Sequence, residues 1–202
     1  MDIPDWYDRD VSRETLEKLK AYAALLRKWT NKINLISKSS EQDLEHRHIW
    51  DSAQIYRSID GDWLDLGSGG GLPGIVLAIL AQGEADKQKM TLVESDQRKA
   101  VFLRTCVREF SLPCTIRSQR ISEIQPAQAD VISARALTDL TGLLDMSEIH
   151  LAPGGRCLFM KRARWREEVS VAQEKWRFSH TAIPSNTHPE AVILDIKEIE
   201  RV

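Results

Sequence analysis

Residues 63–74 read Trp63-Leu64-Asp65-Leu66-Gly67-Ser68-Gly69-Gly70-Gly71-Leu72-Pro73-Gly74, and an unbroken apolar run, Ile75 to Leu80, follows at once. A short apolar segment, a glycine-rich turn and an apolar helix form a strand–turn–helix unit. Glycine permits positive φ and lets a ligand approach the backbone closely. The helix that follows presents free N–H groups and the positive end of its dipole to the turn. This is how a nucleotide-binding α/β domain begins. Two cofactor readings compete. Gly69-x-Gly71-x-x-Gly74 satisfies the dinucleotide fingerprint, which is weak evidence by itself. Asp65-x-Gly67-x-Gly69-x-Gly71 instead places a carboxylate at the strand end. That suits S-adenosylmethionine (SAM), which has no pyrophosphate but carries a positive ammonium and a positive sulfonium. A turn-forming Asp that bonds its own backbone is the plainer account of Asp65; its position and neighbours favour SAM.

The remaining chain is organised around this unit. Leu16, Leu19, Ala23 and Leu26 are spaced for one face of a helix over residues 12–28, with Ser12 as its cap. A second helix is expected from Glu41 to Tyr56. Residues 1–60 thus form a helical extension, and no Pro/Gly/Ser-rich linker separates it from the domain of residues 61–202, so it should pack on that domain. From Asp62 onward strands and helices alternate. Further strands are expected at Met90–Glu94, Cys114–Arg117, Ala129–Ser133, Arg156–Met160, Phe178–Ile183 and Ala191–Ile199, and helices at Asp96–Phe110, about 138–150 and about 164–176. Repeated βα units imply a parallel sheet with helices on both faces. The final two strands have no helix between them, so the last should pair antiparallel.

In such sheets ligands bind beyond the carboxyl ends of the strands. Glu94 ends the second strand about one βαβ unit after the glycine turn, where an acid can accept both ribose hydroxyls; NAD and SAM both have a ribose, so it does not separate them. Arg135 directly follows Val131-Ile132-Ser133-Ala134 and should emerge into the cleft, the alternative being a structural pair with Asp139. No Asn/Asp-Pro-Pro-Tyr/Phe stretch follows the fourth strand, as amino-group methylation of adenine or cytosine would need. Cys114 opens a strand and reads as core. No His/Cys/Asp group has metal spacing, so no metal is expected. A methyl transfer without a protein nucleophile is what remains.

Charge and composition set the outer limits. The net charge of −2 excludes a protein that coats nucleic acid by bulk charge, yet residues 97–166 carry twelve Lys/Arg against six acids. That excess is either a solvated face or a basic rim for a phosphate backbone. No apolar run approaches the ~20 residues of a membrane span, and the acidic N-terminus lacks a signal core. Three widely spaced cysteines, Cys106, Cys114 and Cys157, suit reduced thiols; a cytoplasmic protein is expected.

Several stretches together resemble a known family, the bacterial small-subunit (16S) rRNA guanine-N7 methyltransferases, also called glucose-inhibited division protein B. They are Lys28-Trp29-x-x-Lys32-x-Asn34-Leu35, Arg47-His48-x-x-Asp51-Ser52, the loop from Asp65 to Gly74, Val93-Glu94-Ser95 with Phe102-Leu103, Ser133-Ala134-Arg135-Ala136 and Phe159-Met160-Lys161. The resemblance spans about Trp29 to Ile199. It implies a Rossmann-like, class I SAM-dependent methyltransferase fold with a mostly parallel seven-stranded sheet and an N-terminal helical extension. It further implies that Gly67, Ser68, Gly69, Gly71, Leu72, Glu94, Ile121, Ser122 and Arg135 hold SAM, with Glu94 on the ribose and Ile121 and Ser122 flanking the adenine. Arg135 would be the catalytic residue in a positioning sense, at the junction of cofactor and substrate, with no general base. Arg47, His48, Arg98, Arg120 and Lys161 would meet the RNA, and the partner would be 16S rRNA in the small ribosomal subunit, engaged by a monomer. Trp29, Trp50 and Trp165 offer rings that can stack an unpaired base, although a Trp on an amphipathic helix is more often core. At this point a SAM enzyme acting on another RNA, a protein or a small molecule, an NAD-dependent oxidoreductase and a non-catalytic RNA-binding module stand as alternatives.

Overall fold

In a computed structural model of the chain, which describes residues 1–56, 61–84 and 89–202, the first helix, α1, runs Arg13–Ile33. Ser12 caps it as expected, its Oγ accepting the Thr15 N–H at 3.1 Å. The helix continues about a turn beyond the expected end at residue 28. What ends it is Asn34, in the left-handed region at φ 51°, its N–H donating to the Thr30 carbonyl. Thr30 keeps its place inside the helix by bonding its hydroxyl back to the Leu26 carbonyl at 2.8 Å.

The helix expected over residues 41–56 is instead three short pieces: α2 (Lys38–Glu41), a π-helical turn (Glu45–Trp50) and α3 (Asp51–Ala53). The wide turn is closed by the Asp51 N–H donating to the His46 carbonyl, five residues back. The expected domain boundary at residue 60 lies outside the described residues.

Seven strands follow: β1 (Asp62–Leu66), β2 (Lys89–Val93), β3 (Cys114–Arg117), β4 (Ala129–Arg135), β5 (Leu151–Lys161), β6 (Trp176–Pro184) and β7 (Val192–Arg201). They form one sheet in the order β3-β2-β1-β4-β5-β7-β6. The first five are parallel, and β7 runs antiparallel to both β5 and β6. Strand β5 starts earlier than expected because the chain pairs on both sides of Pro153-Gly154-Gly155. Its register against β4 jumps from Ala129↔Leu151 to Val131↔Arg156, so the Pro-Gly-Gly segment bulges out of the ladder.

The helices between strands are α4 (Gly74–Gly83), α5 (Gln97–Glu109), α6 (Leu140–Ser147) and α7 (Trp165–Ala172), the last two shorter than expected. One apolar core joins α1, α4 and α5 to one face of the sheet, and a second joins α6 and α7 to the other. Helix α4 is apolar all round because it is covered all round; Gly74 through Ala81 are buried between the sheet and α1. Residues of the helical extension up to Tyr56 and the sheet therefore share one core. In β1 the alternation is visible residue by residue: Trp63 belongs to the α1/α4/α5 side, Leu64 and Leu66 to the α6/α7 side.

Candidate active site

The strand order reverses between β1 and β4, and the cleft expected at such a switch point opens there. Loop hydrogen bonds extend the ladders past the strand ends. The Ser68 N–H donates to the Val93 carbonyl and the Glu94 N–H to the Arg117 carbonyl, both at 3.0 Å. The glycine turn and Glu94 are thereby held side by side. A cleft of about 540 Å³ lies over them, lined by Gly67, Ser68, Gly69, Leu72, Glu94, Ile121, Ser122, Arg120 and Arg135 among the residues singled out in the sequence. Leu35, Lys99, Gln119, Leu137 and Met146 also line it.

Glu94 is the acid of this cleft and is 7% exposed. Its Oε2 accepts the Gly69 N–H and its Oε1 the Asp96 N–H, each at 2.8 Å. Each carboxylate oxygen can accept more than one hydrogen, so both retain capacity toward a ligand's hydroxyls. The cap of α5 is the neighbouring Asp96, which accepts from Arg98 and Lys99. Asp65, read from the sequence as the charge facing the cofactor, is not on the cleft wall. It is fully buried on the α1/α4/α5 side, where Ser133 Oγ donates to its Oδ1 at 2.6 Å and Trp63 Nε1 in turn donates to Ser133 Oγ at 2.9 Å. Burial pushes its carboxyl up to about 6, against the pull of the Ser133 hydrogen bond.

Gly71 does not line the cleft either. It sits at φ 82°, and a Cβ there would lie 2.4 Å from Ile75 Cγ1, so its task is to let the turn close onto the start of α4. Gly67 does line it, at φ 62°, with Leu137 packed where a side chain would go. From α1, Tyr22 Oη donates to the Gly70 carbonyl at 2.5 Å and fixes the turn from behind.

A second cleft, of about 460 Å³, adjoins the first, and Leu35, Arg135 and Ala136 line both. Arg135 is the shared wall. Its partner is not Asp139, which caps α6 through the Gly142 N–H at 2.8 Å. Arg135 Nη1 instead meets Asp51 Oδ2 at 3.1 Å and the Arg47 carbonyl at 3.4 Å, and Nη2 meets His48 Nδ1 at 3.0 Å. A guanidinium only donates, so His48 accepts through Nδ1 and carries its proton on Nε2, which donates to Ser40 Oγ at 2.8 Å. Burial first, and then the Arg135 charge, push His48 down to about 3, so the ring is neutral. The motif Arg47-His48-x-x-Asp51-Ser52 and the end of β4, far apart in sequence, are thus one structure. Asp51 is tied in turn to the β6–β7 loop: its Oδ1 accepts from Gln54 Nε2 at 2.9 Å and from Thr187 Oγ1.

The other basic residues divide. Arg120 is exposed at the rim of the first cleft. Arg98 stands outside both clefts, exposed and paired with Asp96 at 3.5 Å. Lys161 lines the second cleft but is buried, its Nζ 2.5 Å from Glu168 Oε2 and donating to the Thr138 carbonyl at 2.9 Å. Trp50 is buried against Tyr7, Trp29 packs on Phe102 at 5.5 Å between centroids, and Trp165 carries the Arg166 guanidinium 4.3 Å above its ring. Among the described residues no helix is long and apolar enough to cross a membrane, and no group of three or more His, Cys, Asp or Glu is placed to hold a metal. The three cysteines are free, and burial pushes each thiol up.

The same sheet and helix arrangement recurs in solved structures. M. jannaschii TYW2, solved in complex with AdoMet, matches with a TM-score of 0.59 at 15% identity, covering 86% of this chain and 80% of that one. A SAM-dependent methyltransferase from Aquifex aeolicus matches with a TM-score of 0.59 at 11% identity, covering 79% and 95%. The fold is the Rossmann-like fold of the SAM-dependent methyltransferases, as expected. Within that class, residues 15–193 match the family GidB, rRNA small subunit methyltransferase G. The ribosomal RNA small subunit methyltransferase G of Ruegeria pomeroyi is 50% identical over 204 residues, covering 100% of both chains. That of Cereibacter sphaeroides is 50% identical over 196 residues, covering 96% of this chain and 94% of its own. The chain belongs to the rRNA small subunit methyltransferase G family, and it is an rRNA methyltransferase.

Proposed function

We propose that the protein transfers a methyl group from SAM to N7 of one guanine in the 16S rRNA of the small ribosomal subunit, acting in the cytoplasm as a monomer. The observation that carries this reading is the pair of clefts meeting at Arg135, the first floored by Glu94 and the glycine turn. The first fits SAM. Glu94 offers two oxygens to a ribose, backbone at Gly67, Ser68 and Gly69 allows close approach, and we assign the adenine to the part of the cleft lined by Ile121, Ser122 and Met146. When bound there, SAM supplies an activated methyl group on sulfur.

The acceptor chemistry agrees with what the clefts contain. Guanine N7 has a lone pair and no proton, so no residue need act as general base, and orientation carries the catalysis. His48, the histidine beside Arg135, is neutral and already occupied on both nitrogens. Arg135 takes a positioning role between cofactor and substrate. Arg120 at the rim and exposed Arg98 offer charge to RNA phosphates; Arg47, His48 and Lys161 support the substrate side from within the fold. Methyl transfer from labelled SAM to small subunits lacking the modification tests the reading. Label recovered only as 7-methylguanosine at one site is the expected result. Label in another base, or no transfer by protein that binds SAM, overturns it.

A further inference from the structure

We propose that the second cleft holds the target guanine and that the Lys161–Glu168 pair reads its Watson–Crick edge, which makes Glu168 a specificity-determining residue. The inference rests on the reading of guanine N7 as the methyl acceptor. Leu35, Ile36, Met160 and Ile193 give this cleft apolar walls that a flat base can fill, and it opens onto the first cleft at Ala136 and Arg135. Two carboxylates line it, Asp51 and Glu168. Asp51 is spent: Oδ2 faces Arg135, and Oδ1 accepts from Gln54 and Thr187.

Glu168 is held differently. Its Oε2 accepts the Leu140 N–H at 2.8 Å and pairs with Lys161 Nζ. Oε1 has no hydrogen-bond partner among the described residues. Lys161 in turn commits two of its three hydrogens, to Glu168 and to the Thr138 carbonyl, which leaves one. The pair therefore presents a fixed donor beside a fixed acceptor. Guanine offers the complement, O6 as acceptor beside N1–H and N2–H as donors. Adenine offers the reverse, an amino donor beside an acceptor N1, and would leave Glu168 Oε1 and the remaining Lys161 hydrogen unmatched, which is how a polar site rejects a near-isostere. The pairing also neutralises Lys161, so a base that becomes cationic on N7 methylation meets no uncompensated positive charge from it.

Small subunits reconstituted with inosine at the methylated position, which lacks only the N2 amino group, supply the test. The wild type should lose about 10- to 100-fold in kcat/KM on inosine, the cost of one hydrogen bond to a charged acceptor. Glu168→Gln should lose a similar factor on guanosine, and inosine should then cost it little more, while SAM binding stays intact. Where that variant fails to fold, Glu168→Asp keeps the charge beside Lys161 but shortens the reach, and should show the same blunted penalty. A wild type indifferent to inosine, or a full inosine penalty retained in a folded Glu168 variant, overturns the proposal and leaves the N7 reading standing. Transfer by the wild type to adenine, cytosine or uracil in the natural subunit overturns both.

Discussion

Arg135 is where two motifs separated by more than eighty residues become one object. Its guanidinium reaches Asp51, His48 and the Arg47 carbonyl together. The sequence marks Arg135 because it ends a buried strand, and marks Glu94 for the same reason. Asp51 and Glu168 carry no such mark. Their partners are set by how the π-helical turn and α7 pack against the strand ends, and no spacing along the chain records that packing. His48 shows the same limit. The family resemblance sets it with Arg47 toward the RNA, and the fold adds what the sequence does not show, that the ring is a neutral acceptor for Arg135. This has a consequence for pH. The folded ring titrates near 3 and the unfolded ring near 6.5, so below about 6.5 the unfolded chain takes up a proton that the folded chain refuses. Stability from this group is full above that value and is lost as pH falls toward 3. Thermal melts from about pH 7 to about pH 4 should fall more steeply for the wild type than for His48→Gln; parallel slopes would show that the ring takes up its proton as readily in the fold as in the unfolded chain.

At the scale of elements, the glycine turn was the most legible part of the chain and also the part where local rules are strictest. Strand β1, the turn and α4 fall where the apolar runs and glycines place them. Gly71 illustrates why: φ 82° with Ile75 Cγ1 where a Cβ would stand leaves no other residue a comfortable fit. Gly71→Ala should lower unfolding free energy by about 2–4 kcal/mol, combining left-handed strain with a clash in the first turn of α4, as read by chemical denaturation. A loss below about 1 kcal/mol would mean that the turn has a second conformation at hand. The less legible elements lie where side chains negotiate with backbone: α1 continues through Trp29 and Ile33, which pack on the same core as Leu26, until Asn34 turns left-handed, and the expected helix over residues 41–56 is broken by a wider turn.

At the scale of the molecule, the helical extension and the sheet share one core, and Tyr22 on α1 holds the Gly70 carbonyl at the floor of the first cleft. Through Asp51, the same extension and the β6–β7 loop hold the side chain that walls both clefts. A wall common to two chambers makes their occupants thermodynamic neighbours. If filling one cleft steadies Arg135, the other ligand meets a partition already set, and its affinity rises by some factor. Linkage then requires that the factor be the same in either direction: SAM must tighten the rRNA substrate as much as the rRNA tightens SAM. Titrating each ligand in the presence and absence of the other should give one shared factor above unity, and Arg135→Ala should bring it to one.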